Sequence, residues 1–166
     1  MECSPYRLAA LLCGALEVRL AETRAGVPSR LAVYPHEAPA IEFCADGMAW
    51  VSIGAIRPVN SGSACALSWE IDLTAGVARC YPVVDGNAAP PVPAVDSAAR
   101  DILDDGEAMR RAVVAAFDDE EAKVTGWRPM APLGSAHGST MSVTVRVGWG
   151  TYVEPRSALM PGDPRT

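Results

Sequence analysis

The chain has 166 residues, of which 49% are hydrophobic and 20% charged, and its formal net charge at pH 7 is -6. This composition predicts a folded protein with one ordinary core, and the length is short for two domains. The negative balance excludes the broad basic surface with which proteins wrap nucleic acid. No stretch approaches the roughly 18 apolar residues of a membrane-spanning helix, and the first apolar segment lacks the features of an export signal. We therefore expect a soluble protein.

The five cysteines are odd in number and widely spaced, without a CxxC pair. This spacing argues against a zinc site of the usual kind. The sequence does not decide whether one disulfide forms among the three cysteines near strand-like segments, although we expect reduced thiols. The five are Cys3, Cys13, Cys44, Cys65 and Cys80, of which the last three are associated with strands.

The first predicted element is an amphipathic helix. Ser4 followed by Pro5 is typical of a helix N-cap and a first helical position. The apolar residues that follow recur at steps of three and four, which is the helical period. Gly26, Val27 and Pro28 are expected to end the helix. The apolar residues are Leu8, Leu11, Leu12, Ala15, Leu16 and Leu20.

Residues 30–81 change to short β-type runs separated by turn residues. Runs of this length, bounded by Gly, Pro and Ser, are typical of strands. We expect strands at residues 31–34, 40–44 and 48–56, followed by two further runs.

The first of these further runs, residues 67–73, alternates apolar residues with polar ones that include Glu70 and Asp72. Alternation with a period of two predicts a strand with one buried face and one wet, acidic face. A tight connection at residues 74–76 then leads into residues 77–81. The two runs are therefore expected to pair as an antiparallel hairpin.

A proline-rich connector at residues 85–95 precedes a second amphipathic helix, which Asp96 or Ser97 can cap. The two faces of this helix are assigned by the helical period. The predicted core stripe consists of Ile102, Leu103, Met109, Val113, Ala116 and Phe117. The predicted solvated side consists of Arg100, Asp104, Asp105, Arg110 and Arg111.

The chain closes with two strand-like runs on either side of a turn rich in Gly, Ser and His. Residues 127–132 precede this turn, which is predicted at residues 134–138. An alternating strand follows at residues 141–149. The tail at residues 154–166 is poor in apolar residues and is expected to be a flexible arm.

This order of elements predicts an α+β fold, in which an antiparallel sheet carries two amphipathic helices packed on one face. No alternation of strands and helices supports a parallel sheet. We expect residues 1–153 to form a single α+β domain, followed by the flexible C-terminal arm at residues 154–166.

No catalytic or metal-binding signature stands out. His36 and His137 lie in turn-like contexts, where a nucleophilic pair with Cys or Ser stays open without a supporting local motif. The acidic clusters at 104–105 and 118–121 lack the ligand spacing of a calcium loop and are interpreted as solvated surface. Residues 134–138 lack the GK[ST] of a phosphate-binding loop. We therefore predict no enzyme, no metal and no cofactor.

The tryptophans fall in or beside the predicted strands. Because the chain is acidic, a place in the core or in a subunit contact is favoured over stacking on nucleic-acid bases. The four are Trp50, Trp69, Trp127 and Trp149.

A resemblance to a known group of proteins rests on local motifs and on the order of the elements over roughly residues 5–150. The motifs are Met48-Ala49-Trp50-Val51, the stretch 65–80 with Trp69, Gly76-Val77 and Arg79-Cys80, then Ala108-Met109-Arg110-Arg111 and Gly126-Trp127-Arg128-Pro129. This arrangement resembles the neck proteins of long-tailed actinobacteriophages, in particular tail terminators.

The resemblance implies a non-enzymatic virion protein without a cofactor. Such proteins form a ring, typically a hexamer, at the head-tail junction, where the ring terminates the tail tube and joins it to the head connector. The implied partners are other copies of the chain, the tail tube protein and a head-tail stopper or adaptor. DNA would pass through the lumen without specific binding, no membrane is involved, and assembly would take place in the host cytoplasm.

Within such a ring, we expect the lumen or the inter-subunit surface to include Glu70, Asp72, Arg79 and Arg146. Glu70 and Asp72 would belong to an acidic wall that lets DNA pass without sticking. Exposed strand edges and a flexible arm are compatible with the head-to-tail contacts of a closed ring.

Three other interpretations stay open. Within the same class, the chain could be a head-to-tail stopper or adaptor. From a different class, it could be a small hydrolase that uses Cys or His. It could also be a binding module with a small-molecule pocket between helices and sheet, and such a module is predicted to stay monomeric at high concentration.

Overall fold

The computed structural model describes residues 4–36, 39–41, 46–59, 68–84, 88–117 and 122–148. Two helices and five strands lie within these ranges, and neither helix is long and apolar enough to cross a membrane. In chain order, the elements are α1 (Pro5–Leu20), β1 (Arg30–Tyr34), β2 (Met48–Val59), β3 (Ser68–Cys80), α2 (Val92–Ala116), β4 (Ala122–Leu133) and β5 (Ala136–Gly148).

The strands form a single sheet in the order β1-β2-β3-β5-β4, and both helices pack on one face of it. The predicted α+β class is therefore confirmed. α1 buries a stripe of leucines at steps of four residues, as an amphipathic helix should. The main core between helices and sheet contains Leu8, Leu12, Leu16 and Leu20 of α1, together with Ile71, Leu73, Val143 and Val145 of the sheet.

One strand pair differs from the predicted antiparallel sheet. β1 and β2 run parallel, with Arg30 opposite Met48, whereas the other three pairs are antiparallel. A parallel pair needs about a dozen or more connecting residues to bring the chain back to the end where it started. Residues 35–47 provide this connection. Of the strand predicted there at residues 40–44, residues 40–41 are not in a strand and residues 42–44 lie outside the described residues.

The start of α1 is confirmed and its end is earlier than predicted. The side-chain oxygen of Ser4 accepts a hydrogen bond from the backbone N–H of Arg7 at 3.2 Å, which is the N-cap interaction. The helix ends at Leu20, and the following residues form turns. Gly26 has φ +70°, so it takes the left-handed conformation after these turns and not at the helix end itself.

The predicted hairpin at residues 74–76 is wrong, because β3 runs through them as one strand of 13 residues. Gly76 lies directly opposite Trp50 of β2. A Cβ atom at residue 76 would overlap the six-membered ring of the Trp50 indole. Gly76 therefore permits the close approach of an aromatic side chain, and it does not make a turn.

Trp50 belongs to a second, smaller apolar cluster on the sheet face away from the helices. Its neighbours lie on that face because side chains alternate along a strand and directly paired residues share a face. Met48, Trp50 and Ala78 are buried there, and Tyr34, Ile41 and Met130 pack against them. The connection between β1 and β2 thus contributes to this cluster through Ile41.

α2 begins earlier than predicted. Its N-cap is Pro91 and its first residue is Val92, with a proline in the first turn, where a missing N–H costs nothing. Asp96 and Ser97, the predicted caps, therefore lie inside the helix. The proline-rich connector is correspondingly shorter than the predicted residues 85–95.

Two residues of α2 lie on the side opposite to the prediction. Leu103, assigned to the core stripe, is 61% exposed, whereas Asp105, assigned to solvent, is 1% exposed. Ala98 and Ala112 are also buried, and each is seven residues from Asp105, which is two helical turns. Met109, Val113 and Phe117 lie in the main core as predicted.

Gly106 lets α2 lie close to β4. A Cβ atom at this residue would be 2.8 Å from Nε1 and 3.0 Å from Cε2 of Trp127. These separations are too short for an ordinary contact, so a side chain at residue 106 would push the helix away from the indole. The helix tolerates a glycine here at a cost of about 1 kcal/mol relative to alanine.

The turn between β4 and β5 is shorter than predicted and consists of Gly134 and Ser135, so that β5 already begins at Ala136. Of the described strands, β4 forms one edge of the sheet. Its register is interrupted at two places, and it contains Pro129 and Pro132. Trp149 and the predicted arm lie outside the described residues.

Gly76→Ala is expected to destabilise the protein by about 1–3 kcal/mol, because the new methyl group must displace the Trp50 indole from a packed cluster. Gly14→Ala is the matched control, since it adds the same group in α1 with nothing within 4 Å. In a helix this change should stabilise by about 0.5–1 kcal/mol. Urea unfolding measures both, and a Gly76→Ala variant as stable as the wild type would contradict the packing role.

Candidate functional site

The sheet face away from the helices carries a group of polar side chains beyond the Trp50 cluster. Their strand positions alternate with the apolar core residues Ile71, Leu73, Val143 and Val145, so they point to the opposite side. We call this group the polar face. Its members are Arg57, Ser68, Glu70, Asp72, Thr74, Lys123, Arg128, Thr140, Ser142, Thr144 and Arg146.

Three of the four surface residues predicted from the sequence come together on the polar face. Glu70 is paired in register with Arg57 on one side and with Arg146 on the other. Asp72 follows two residues later on the same face. The fourth predicted residue, Arg79, lies on the helix side of the sheet.

Asp72 is the best-connected carboxylate of the polar face. Nη2 of Arg57 forms an ion pair with Oδ2 of Asp72 at 2.7 Å. The Thr144 hydroxyl donates a hydrogen bond to Oδ1 of the same carboxylate at 2.9 Å. At the neighbouring position, Nη2 of Arg146 donates to the Ser68 hydroxyl at 3.3 Å. The two carboxylates are therefore embedded among cations and hydroxyl groups.

The polar face has a positive charge balance within an acidic protein. It contains four basic residues and two acidic ones, which gives a net charge of +2. Three of the basic side chains, those of Lys123, Arg128 and Arg146, belong to exposed residues. Glu70 and Asp72 therefore lie among a larger number of basic side chains on this face.

Arg79 forms a buried ion pair with Asp105 of α2. Nε and Nη2 of Arg79 donate to the two carboxylate oxygens of Asp105 at 2.7 Å each. Arg79 also donates to the carbonyl oxygens of Ala25 at 3.3 Å and Gly26 at 2.9 Å. The side chains of Arg79 and Asp105 are only 10% and 2% exposed. This pair therefore connects β3 to α2 and to the turn that follows α1.

Burial raises the pKa of Asp105, and the hydrogen bonds and charge of Arg79 oppose this rise. Arg79 thus offsets part of the cost of removing the carboxylate from water, through the bidentate geometry that makes such pairs strong. Sequence reasoning assigned Asp105 to the solvent. Asp105 could have been recognised as buried from its spacing, because it lies seven residues from Ala98 and from Ala112, which belong to the buried stripe of α2.

His137 lies next to the ion pair, directly opposite Arg79 in the β3–β5 register. It is 4% exposed, and its ring meets that of Tyr81 edge to face with centroids 5.1 Å apart. Burial lowers the pKa of His137, while the nearby carboxylates of Asp101 and Asp105 oppose this shift. We refer to Arg79, Asp105 and His137 as the buried polar node.

Among the histidines and cysteines considered for a nucleophilic site, those that the structure describes are spread over the fold, whereas Cys3, Cys44 and Cys65 lie outside the described residues. His36 is exposed, whereas His137 is buried. Cys80 is exposed and lies on the sheet face opposite to His137, since the two occupy alternate register positions. Burial raises the pKa of the Cys13 thiol, which is the reverse of what a nucleophilic thiolate needs. Among the described residues, no group of three or more His, Cys, Asp and Glu could hold a metal ion.

No protein-family model matches the chain, and a search of the curated proteins finds no match either. The buried polar node connects β3 to α2 and to the turn after α1, so we interpret it as structural. The polar face presents charged and hydroxyl groups on the outside of a sheet, and such groups give specificity to contacts between macromolecules. We take the polar face as the candidate functional surface.

Asp105→Asn is expected to destabilise the protein by about 3–5 kcal/mol, because it leaves the buried charge of Arg79 without a counter-ion. Glu107→Gln is the control, since it removes a carboxylate from the same helix where its partner Arg110 is solvent-exposed. No measurable change is expected there. Urea unfolding compares the two variants, and equal effects would contradict a structural role for the buried pair.

The stability of the protein is expected to fall when the pH is lowered from about 7.5 to about 5.5. His137 has a lowered pKa in the folded state, so the unfolded chain, with a histidine pKa of 6.5, binds the proton more readily. The raised pKa of Asp105 acts in the opposite direction at lower pH. His137→Gln should flatten the dependence in urea unfolding, whereas His36→Gln, at an exposed position, should not. An unchanged slope in His137→Gln would refute this assignment.

Proposed function

We propose that this protein is a structural subunit of a ring at the head-tail junction of a long-tailed phage, where it terminates the tail tube and joins it to the head connector. The resemblance of the motifs and of the element order to phage neck proteins supports the proposal. The α+β fold, with two helices on one face of a sheet, is compatible with it. The chain would act by assembly and would carry out no chemical step.

The observation that carries the proposal is the difference between the two sides of the subunit. On the helix side, several charged side chains pair with one another, as Arg24 does with Asp101 and Arg111 with Glu22. On the other side, the polar face presents cations without a matching number of carboxylates. A ring closed by rotation joins two different patches of each subunit, so a two-sided subunit favours such a ring over a symmetric dimer.

The purified protein is expected to form a closed oligomer. Native mass spectrometry should give a single species of about six times 17.4 kDa. Negative-stain electron microscopy of the same sample should show rings with a central channel. A species that stays at 17.4 kDa over a wide concentration range would contradict the proposal and favour a monomeric binding module.

Silencing the gene in its phage tests the position of the ring. If the protein terminates the tail tube, electron microscopy should show over-long tails without heads beside filled heads. Tails of normal length that lie detached from heads would assign the chain to the stopper or adaptor position instead. Intact infectious particles would overturn the connector proposal altogether.

A further inference from the structure

Two buried polar atoms in the layer between the helices and the sheet have no hydrogen-bond partner in the described part of the chain. They are Oγ of Ser139 in β5 and Nε1 of Trp127 in β4. Ser139 as a whole residue is 0% exposed. A buried polar atom without a partner loses its bonds to solvent and gains nothing in exchange, so such atoms are rare in folded proteins. Two of them in one layer indicate a partner that the chain itself does not supply.

The two side chains lie on the same face of neighbouring strands. Ser139 is paired in register with Pro129 of β4, and Trp127, two residues before Pro129, is paired with Met141. Residues two apart on a strand share a face, and Met141 belongs to the main core. Ser139 and Trp127 are thus diagonal neighbours on the helix side of the sheet, with Cα atoms roughly 7–8 Å apart.

α2 brings the buried polar node close to the indole nitrogen. Nε1 of Trp127 lies 2.8 Å from the position that a Cβ atom of Gly106 would occupy. Gly106 directly follows Asp105 in the helix, so the indole nitrogen is next to the turn of α2 that bears this carboxylate. Each oxygen of Asp105 accepts one hydrogen bond from Arg79 and retains a lone pair for another.

Ser139 borders the same node from the sheet. It follows His137 by two residues on one face of β5, and its partner in β3, Val77, is two residues from Arg79. The hydroxyl group therefore lies between the node and the apolar core, at the level of the sheet. The two unpartnered atoms and the node surround one region beneath α2.

The chemistry of these atoms fits one small ligand that both donates and accepts hydrogen bonds. An indole nitrogen can only donate, whereas a serine hydroxyl can donate or accept. The layer is tightly packed here, since even a methyl group at residue 106 would overlap the Trp127 indole. Water has the required size and both hydrogen-bonding functions, and a buried water typically makes about three hydrogen bonds.

We propose that the protein binds one water molecule between Oγ of Ser139 and Nε1 of Trp127, beneath α2. The water accepts a hydrogen bond from the indole N–H, forms a second with the serine hydroxyl and donates a third to the Asp105 carboxylate. It thereby joins α2 to β4 and β5, as Arg79 joins the same helix to β3. This site does not depend on the proposed ring.

A high-resolution crystal structure tests the site directly. We expect an ordered water whose oxygen lies about 2.7–3.2 Å from both Ser139 Oγ and Trp127 Nε1. The same water should be missing from the Ser139→Ala variant. Density that contacts only one of the two atoms, or no density between them, would overturn the proposal.

The stability of Ser139→Ala distinguishes a bound water from an unpaired hydroxyl. If the water is bound, the substitution removes one of its partners, and the midpoint of urea unfolding should fall by about 0.5–1 M. If the hydroxyl is unpaired, the same substitution removes an unfavourable buried polar atom and raises the midpoint.

Ser142→Ala is the matched control for this measurement, since it makes the same change at an exposed position of the same strand. Its midpoint should equal that of the wild type. A midpoint of Ser139→Ala that is raised, or that is the same as in the control, would overturn the proposal and leave the proposed function untouched.

Discussion

The buried ion pair of Arg79 and Asp105 is the interaction that fixes how the layers of this fold lie on each other. Apolar contacts between a helix and a sheet tolerate small shifts, because a leucine stripe can slide by fractions of a turn without losing burial. A bidentate guanidinium-carboxylate pair accepts one arrangement only. Since Arg79 also binds the carbonyl groups of Ala25 and Gly26, the same side chain fixes α2 and the turn that follows α1 relative to β3.

The sequence predicted the fold class and the helix layer, but it did not predict the course of β3. Ile71, Leu73, Ala75 and Val77 continue one apolar face, and Arg79 is the next residue on that face. The expected turn at residues 74–76 interrupted this pattern, and Arg79 was placed on the lumen or inter-subunit surface, not on the buried face. Glycine has two unrelated uses, in turns and under large side chains, and a single sequence does not distinguish them.

The polar face could be predicted only in part for a related reason. Glu70, Asp72 and Arg146 were recognisable because they lie on clearly alternating strands. Arg57 and Lys123 join them only through the strand register, and the register of both strands is shifted by irregularities. The sequence did not indicate that β1 runs parallel to β2, because the alternation of side chains along a strand is the same whichever way its neighbour runs.

The two prolines and the two irregularities of β4 determine how copies of this protein can meet. Pro129 and Pro132 offer no N–H group, and the shifts in register break the even spacing that an incoming strand would need. These features oppose edge-to-edge pairing of β4 with a strand of another copy. Contacts along this edge are left to side chains, which form a limited set of bonds and do not extend a sheet from one molecule to the next.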